Sequence, residues 1–224
     1  INEENSSLFY GPDFQFVKAE NQEEAAAQIQ ELYLRELQDT SIGQLQIISP
    51  YRTDGEASSN GLNALIRETV NPHMEKIPEF AFGERIFRLH DRVMQTKNNY
   101  SLEGYDSACG QKFKGVFNGD IGNICKILPD KLCVDFDGRV VEYSKSQLGD
   151  LELAYAITIH KSMGSEYETV IIPILMAHRI LLTKNLIYTA VTRAKKRVIL
   201  VGQKRALFLA IHSGRKVKRN TCLA

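Results

Sequence analysis

Compact apolar runs alternate with helix-periodic segments at both ends of this sequence, and that alternation confines the chain to a layered α/β architecture. Phe14-Gln15-Phe16-Val17 reads as a short strand, and Asn21-Gln22-Glu23-Glu24 then supplies an N-cap with a glutamate at the third helical position. A helix is predicted from there to about Leu37. Its Ala25, Ile29, Leu32, Tyr33 and Leu37 recur at three- and four-residue steps, while Glu23, Glu31 and Glu36 are expected to face outward. Leu45 to Ser49 is a second strand, ending at Pro50, and a second helix fits Leu62 to Val70, stopped by Asn71-Pro72. The final third repeats the pattern, so a parallel sheet covered by helices is expected.

Between these portions the texture changes. Short β-branched or aromatic runs cover Ile86 to Leu89, Arg92 to Thr96, Ile121 to Leu128, Lys131 to Phe136 and Val140 to Tyr143. Asn118-Gly119-Asp120, Pro129-Asp130 and Asp137-Gly138 separate them, the last a strong two-residue hairpin signal. Five short strands leave edges that closure would remove, so a small barrel is expected. Ser101 to Lys114 reads as a mobile loop.

Charge is distributed unevenly. All 27 acidic residues lie at or before Glu168 with 16 of the 28 Lys and Arg, so residues 1 to 168 carry 16 − 27 = −11 and the remainder +12. The basic block includes Arg193, Lys195, Lys196, Arg197, Lys204 and Arg205, with Arg215, Lys216, Lys218 and Arg219 in the tail. For Arg193 to Arg197, crowded where a helix meets a strand, this predicts attraction of phosphate; the tail reads equally well as a solvated segment. No apolar run approaches the roughly 20 residues of a membrane-spanning helix, so no membrane role and a cytoplasmic location are expected. Cys109, Cys125, Cys133 and Cys222 form no Cys-x-x-Cys pair and predict neither a metal site nor a disulfide framework. The chain starts at Ile1 without a signal-peptide pattern and reads as part of a longer protein.

Two blocks carry the chemistry. In the first, Ala154 to Ile159 leads into His160-Lys161-Ser162-Met163-Gly164-Ser165-Glu166, placing small groups, a glycine turn and a carboxylate after a buried strand. In the second, Tyr188-Thr189-Ala190-Val191-Thr192-Arg193-Ala194-Lys195-Lys196 sets Arg193 near the end of a short helix, before the strand Arg197 to Val201. Together they resemble the last two signature motifs of superfamily 1 nucleic-acid helicases, in the version of RecD/TraA-type DNA helicases such as the exodeoxyribonuclease V α-subunit. The resemblance implies a RecA-like parallel-sheet motor domain over residues 1–82 and 151–224, with an inserted Src-homology-3-like (SH3-like) β-barrel over 83–150. It implies the C-terminal motor domain of an ATP-dependent 5′-3′ DNA helicase.

The same resemblance assigns site residues. Arg193 and Arg52 are the implied catalytic contacts to the γ-phosphate, Arg193 as arginine finger, and Tyr51, Gly164, Ser165 and Glu166 the implied nucleotide contacts. Thr158, His160, Lys161, Asn98, Tyr100 and Thr189 are the implied contacts to single-stranded DNA. Met163 departs from the pattern, which has glutamine there, and a thioether lacks that side chain's two donors. A motor also needs a glycine-rich loop ending in Gly-Lys-Ser/Thr, yet Gly55 to Gly61 is followed by Leu62, and Gly104 to Gly110 by Gln111-Lys112. ATP with Mg2+ would therefore be held mostly by an N-terminal RecA-like domain of the same parent chain, and this chain alone is expected to be inactive. The sequence leaves open a conjugative relaxase-helicase, an RNA-acting motor, and a non-catalytic single-strand-binding module.

Overall fold

A computed structural model describes residues 11–212; the predicted contribution of Cys222 and of the basic residues from Arg215 to Arg219 falls outside them. In chain order the elements are β1 (Phe14–Lys18), α1 (Gln22–Glu36), β2 (Leu45–Ser49), α2 (Ser59–Val70), β3 (Glu79–Phe82), β4 (Arg85–Arg88), β5 (Arg92–Gln95), β6 (Asn99–Asp106) and β7 (Lys112–Val116). There follow β8 (Ile121–Ile127), β9 (Lys131–Phe136), β10 (Arg139–Ser144), β11 (Leu151–Leu153), β12 (Ala156–Thr158), β13 (Tyr167–Ile174), α3 (Lys184–Val191), β14 (Ala194–Gly202) and α4 (Lys204–His212). The chain divides into two compact units, one formed by the described residues up to Ser58 and from Thr158 onward, the other by Ser59–Ile157. The sequence had suggested joins at 82/83 and 150/151.

The first unit is the expected parallel layer. Its five-stranded sheet has the order β1-β14-β13-β2-β12, with β1 parallel to β14, β14 to β13 and β13 to β2. β2 is buried along its whole length and β13 nearly so, as strands covered on both faces must be. α1 starts where the cap signal predicts, its Asn21 side chain accepting from the Glu24 backbone N–H at 2.8 Å. It lies against β13 and β14 with Ala25, Ile29, Leu32 and Tyr33 buried.

Glu36 corrects the expected outward face, being only 6 % exposed. Its two carboxylate oxygens accept from Arg197 Nη1 at 2.9 and 3.1 Å, and Gln15 accepts from Nη2 at 3.2 Å. Two residues 161 apart thus join helix to strand, a pairing no periodicity can register. Replacing Glu36 by Ala strips Arg197 of its charged partner and should cost about 2 kcal/mol; a urea-unfolding loss below about 0.5 kcal/mol would show the pair to be ornamental.

The second unit contains a seven-stranded antiparallel sheet in the order β11-β5-β8-β9-β10-β6-β7 and a two-stranded β3-β4 ribbon. Among the described residues the order ends on β11 and β7. Asp137-Gly138 makes the predicted tight hairpin: Phe136 faces Arg139, and both turn residues have positive φ, 55° and 85°. The segment expected to be a mobile loop is instead β6 and β7. Their outer positions are polar and β7 is an edge strand, so no continuous β-branched run marks them; Leu102, Phe113 and Val116 nonetheless enter the core. At Gly104 a Cβ would collide with the Val140 carbonyl and the Phe113 ring, so glycine is required where the strands close up. α2 belongs to this unit through side-chain bonds to backbone. Asn63 Nδ2 donates to the carbonyls of Leu153 and Ala156, Asn63 Oδ1 accepts from the Ala156 N–H, and Arg67 Nη1 donates to the Ile86 carbonyl.

Candidate functional site

The eight-residue connection from Ile159 to Glu166 and the α3–β14 junction converge at the starts of β13 and β14. Tyr167, the first residue of β13, faces Ala194, the first of β14, and its N–H donates to the Arg193 carbonyl at 2.8 Å. The Arg193 guanidinium bridges the two motifs. Nε donates to the Thr189 carbonyl at 3.3 Å, Nη1 to the Ser165 carbonyl at 3.1 Å and Nη2 to Thr192 Oγ1 at 3.3 Å. Of the five N–H donors of a guanidinium, these three bonds leave two uncommitted, on a half-buried and already oriented group.

The turn is shaped by its small residues. Gly164 has φ +88° with open space where a Cβ would stand, Ser165 N–H donates to the Ser162 carbonyl, and the buried Ser162 hydroxyl donates to the Ile159 carbonyl. Glu166 lies 3.7 Å from Lys195. Thr158 precedes a 3-10 turn over Ile159–Ser162, on which His160 is exposed and Lys161 half-buried. Thr189 is half-buried on α3, its hydroxyl donating to the Asn185 carbonyl. Met163 is 59 % exposed and presents a thioether to solvent.

The excess of base that the sequence gathers here is largely met by acids. Lys196 pairs with Glu168 at 2.7 Å, Lys195 with Glu166, and Arg197 with Glu36. Arg193, by contrast, is held by carbonyl and hydroxyl oxygens rather than by a carboxylate.

Tyr51 and Arg52 are not brought to this cluster. They follow β2, and the Tyr51 ring stacks on His178, which lies just beyond the end of β13, with ring centroids 4.9 Å apart and planes 27° apart. Seven residue steps from Tyr167 to Ile174, at about 3.3 Å each, put roughly 23 Å between the two ends of β13. Arg52 thus follows the carboxyl end of β2, whereas Arg193 precedes β14. The reason is topological: β2 and β13 run parallel, so a residue after one and a residue before the other sit at opposite edges.

Sequence reasoning missed His178. It is 1 % exposed, both ring nitrogens are buried without a hydrogen-bond partner, and burial pulls its pKa down to about 4 against a small opposing effect of Asp54. A lone His after an apolar strand gives no signal by itself. The folded state refuses a proton that the unfolded chain accepts, so this contribution to stability is present above the ordinary value of 6.5 and is lost as pH falls from there towards 4. The urea midpoint of His178→Phe minus that of the wild type should thus grow across this range, by no more than about 3 kcal/mol in stability. A flat difference would refute the burial argument.

In the second unit, Asn98 and Tyr100 do come together. Asn98 Nδ2 donates to the Tyr100 hydroxyl at 3.3 Å, and Asn98 Oδ1 accepts from the Asn118 N–H at 2.8 Å. Tyr100 is 69 % exposed and meets the edge of Phe117, at 5.8 Å between centroids.

The comparisons with known proteins fall on these same segments. Residues 62–136 match the family model of the ATP-dependent RecD-like DNA helicase SH3 domain, and residues 153–201 that of the UvrD-like helicase C-terminal domain. The chain is 37% identical over 181 residues to the ATP-dependent RecD2 DNA helicase of Deinococcus radiodurans, covering 81% of this chain and 23% of that protein. It is 39% identical over 121 residues to the RecBCD enzyme subunit RecD of Mycobacterium tuberculosis, covering 53% and 19%. The chain therefore spans less than a quarter of these relatives' length. A solved Pif1 helicase at forked DNA shares 22% identity at a TM-score of 0.46, over 82% of this chain and 47% of that one. With an SH3 domain model and a helicase C-terminal model matched in succession, and with both relatives RecD proteins, this chain is homologous to the C-terminal part of RecD-like superfamily 1 helicases.

Proposed function

We propose that the chain is the second motor domain, with its inserted barrel, of an ATP-dependent 5′-3′ DNA helicase. The observation that carries this reading is Arg193: a guanidinium pre-oriented by three bonds, with two donors to spare, at the junction of both helicase-like motifs. Charge spread over γ-phosphate oxygens in phosphoryl transfer suits such a planar cation. Ser165 and Glu166, tied to Arg193 and Lys195, would line the same side of the nucleotide, with Gly164 allowing close backbone approach. Mg2+ and most of the triphosphate would be held by a phosphate loop on another RecA-like domain of the full-length protein. Thr158, His160, Lys161 and Thr189 would contact the phosphodiester track of single-stranded DNA without reading bases, and Asn98 and Tyr100 would add a stacking contact from the barrel.

The test is ATP hydrolysis with and without single-stranded DNA, by the full-length protein and by residues 1–224. Strand-stimulated hydrolysis by the full-length protein and none by this chain is the expected result. Substantial turnover by residues 1–224 would refute the split site, and a full-length protein that binds strand without hydrolysing ATP would leave a binding module.

A further inference from the structure

Of the three acceptors that hold the Arg193 guanidinium, two are backbone carbonyls and one is a side chain, the hydroxyl of Thr192. Thr192 caps the end of α3 with helical φ −70° and ψ −1°, and its N–H donates to the Tyr188 carbonyl at 3.0 Å. The helix thus fixes its backbone, and its β-branch restricts χ1, so the hydroxyl is held in place on one side of Arg193.

The direction of that hydroxyl follows from proton counting. A guanidinium only donates, and a hydroxyl carries one proton. For the oxygen to accept from Arg193 Nη2, its own proton must point elsewhere, and the Thr189 carbonyl takes it at 3.0 Å. The same carbonyl accepts from Arg193 Nε at 3.3 Å, so Nε, Nη2, the Thr192 hydroxyl and the Thr189 carbonyl close a ring of hydrogen bonds. This ring engages the edge of the guanidinium that Nε and Nη2 share. Because the fork is planar, the second N–H of Nη2 lies on the other side, along the terminal edge shared with Nη1.

We infer that Thr192 is a positioning residue for Arg193: its hydroxyl fixes the guanidinium plane so that the free Nη2 N–H is presented to the γ-phosphate oxygens. This rests on the motor reading above. Thr192 touches no nucleotide itself. Without its hydroxyl, Nη2 loses an acceptor while Nε and Nη1 keep theirs, and the half-buried group is free to turn its plane. An arginine whose contact matters most as charge spreads in the transition state then loses effect on turnover rather than on ATP binding.

The experiment uses the full-length protein with ATP and saturating oligo(dT). Thr192→Val keeps the branched shape and removes the hydroxyl; it should lower kcat about tenfold, the worth of one hydrogen bond to a charged group. KM for ATP and strand affinity should stay within about twofold, as for an interaction made only in the transition state. Thr192→Ser restores the hydroxyl and should recover most of the lost turnover. In an Arg193→Ala background, with residual hydrolysis followed in single turnover, Thr192→Val should have no further effect, because the group it orients is gone. An equal loss in both backgrounds would assign the hydroxyl to the helix end alone. Wild-type kcat in Thr192→Val would show that the two carbonyls suffice, and a raised KM with unchanged kcat would give Thr192 to ATP binding; each of these results overturns the inference. If Thr192→Val does not fold, Thr192→Ala set against Thr192→Ser completes the same cycle. Failure of the motor reading would look different, as an Arg193→Ala protein that turns over ATP at the wild-type rate.

Discussion

Arg193→Ala in the full-length protein should lower strand-stimulated ATP turnover by roughly 10³-fold or more, the loss associated with removing an arginine finger, while affinity for single-stranded DNA stays within about twofold. The structure sharpens this expectation. Three of the side chain's donors already hold the Thr189 and Ser165 carbonyls and the Thr192 hydroxyl, so the cation is positioned before any nucleotide arrives. Arg193→Lys should recover little, since an ammonium on a flexible stem cannot keep those bonds and reach a phosphate together. Loss of the bridge to Ser165 also loosens the turn, so melting temperature must be measured on the same variants. A 10³-fold fall with a melting point within a few degrees of wild type supports the finger. Turnover falling only in step with the folded fraction would assign Arg193 to architecture alone.

The largest expected stability effect lies in the second unit, at Asp91, which is fully buried. Its Oδ1 accepts from Asn71 Nδ2 at 2.9 Å and from the Tyr155 hydroxyl at 3.2 Å, and its Oδ2 from the Arg88 N–H at 2.8 Å, with Arg67 Nη1 3.8 Å away. Burial raises its pKa, and these donors oppose that shift, the Arg88 backbone N–H foremost. Arg88 is bonded in turn to the Asn71 carbonyl, Glu68 and Glu79. Asp91→Ala takes an acceptor from three donors, the Asn71 amide, the Tyr155 hydroxyl and the Arg88 N–H, and a carboxylate from beside Arg67, and should destabilise the unit by about 3–5 kcal/mol, a large share of a typical domain's stability. Asp91→Asn keeps one acceptor oxygen and should cost less. Hydrogen exchange of the β5, β8 and β9 amides reports on this unit alone; unchanged protection in Asp91→Ala would show that the network contributes nothing.

The helix cap at Asn21, the Asp137-Gly138 hairpin and the strands β2, β9 and β14 were legible because each follows from residues adjacent in sequence. The strands β6 and β7 were not, since an edge strand with a polar outer face carries no apolar run. Glu36 was misread for a related reason: periodicity marks a position as inward but cannot announce an arginine 161 residues away that makes a carboxylate welcome there.

The sequence by itself determined the α/β class, the β-rich middle, the two motif blocks and Arg193 as the group most suited to phosphate. Only the tertiary structure decided how these are arranged. It joined Arg193 to the Ser165 turn, neutralised the neighbouring basic residues, and carried Tyr51 and Arg52 to the opposite edge, against a histidine that nothing in the sequence marked. Local patterns record propensity and burial, which act between near neighbours along the chain. Which strand ends share an edge depends on strand order and direction, fixed only when distant segments pair.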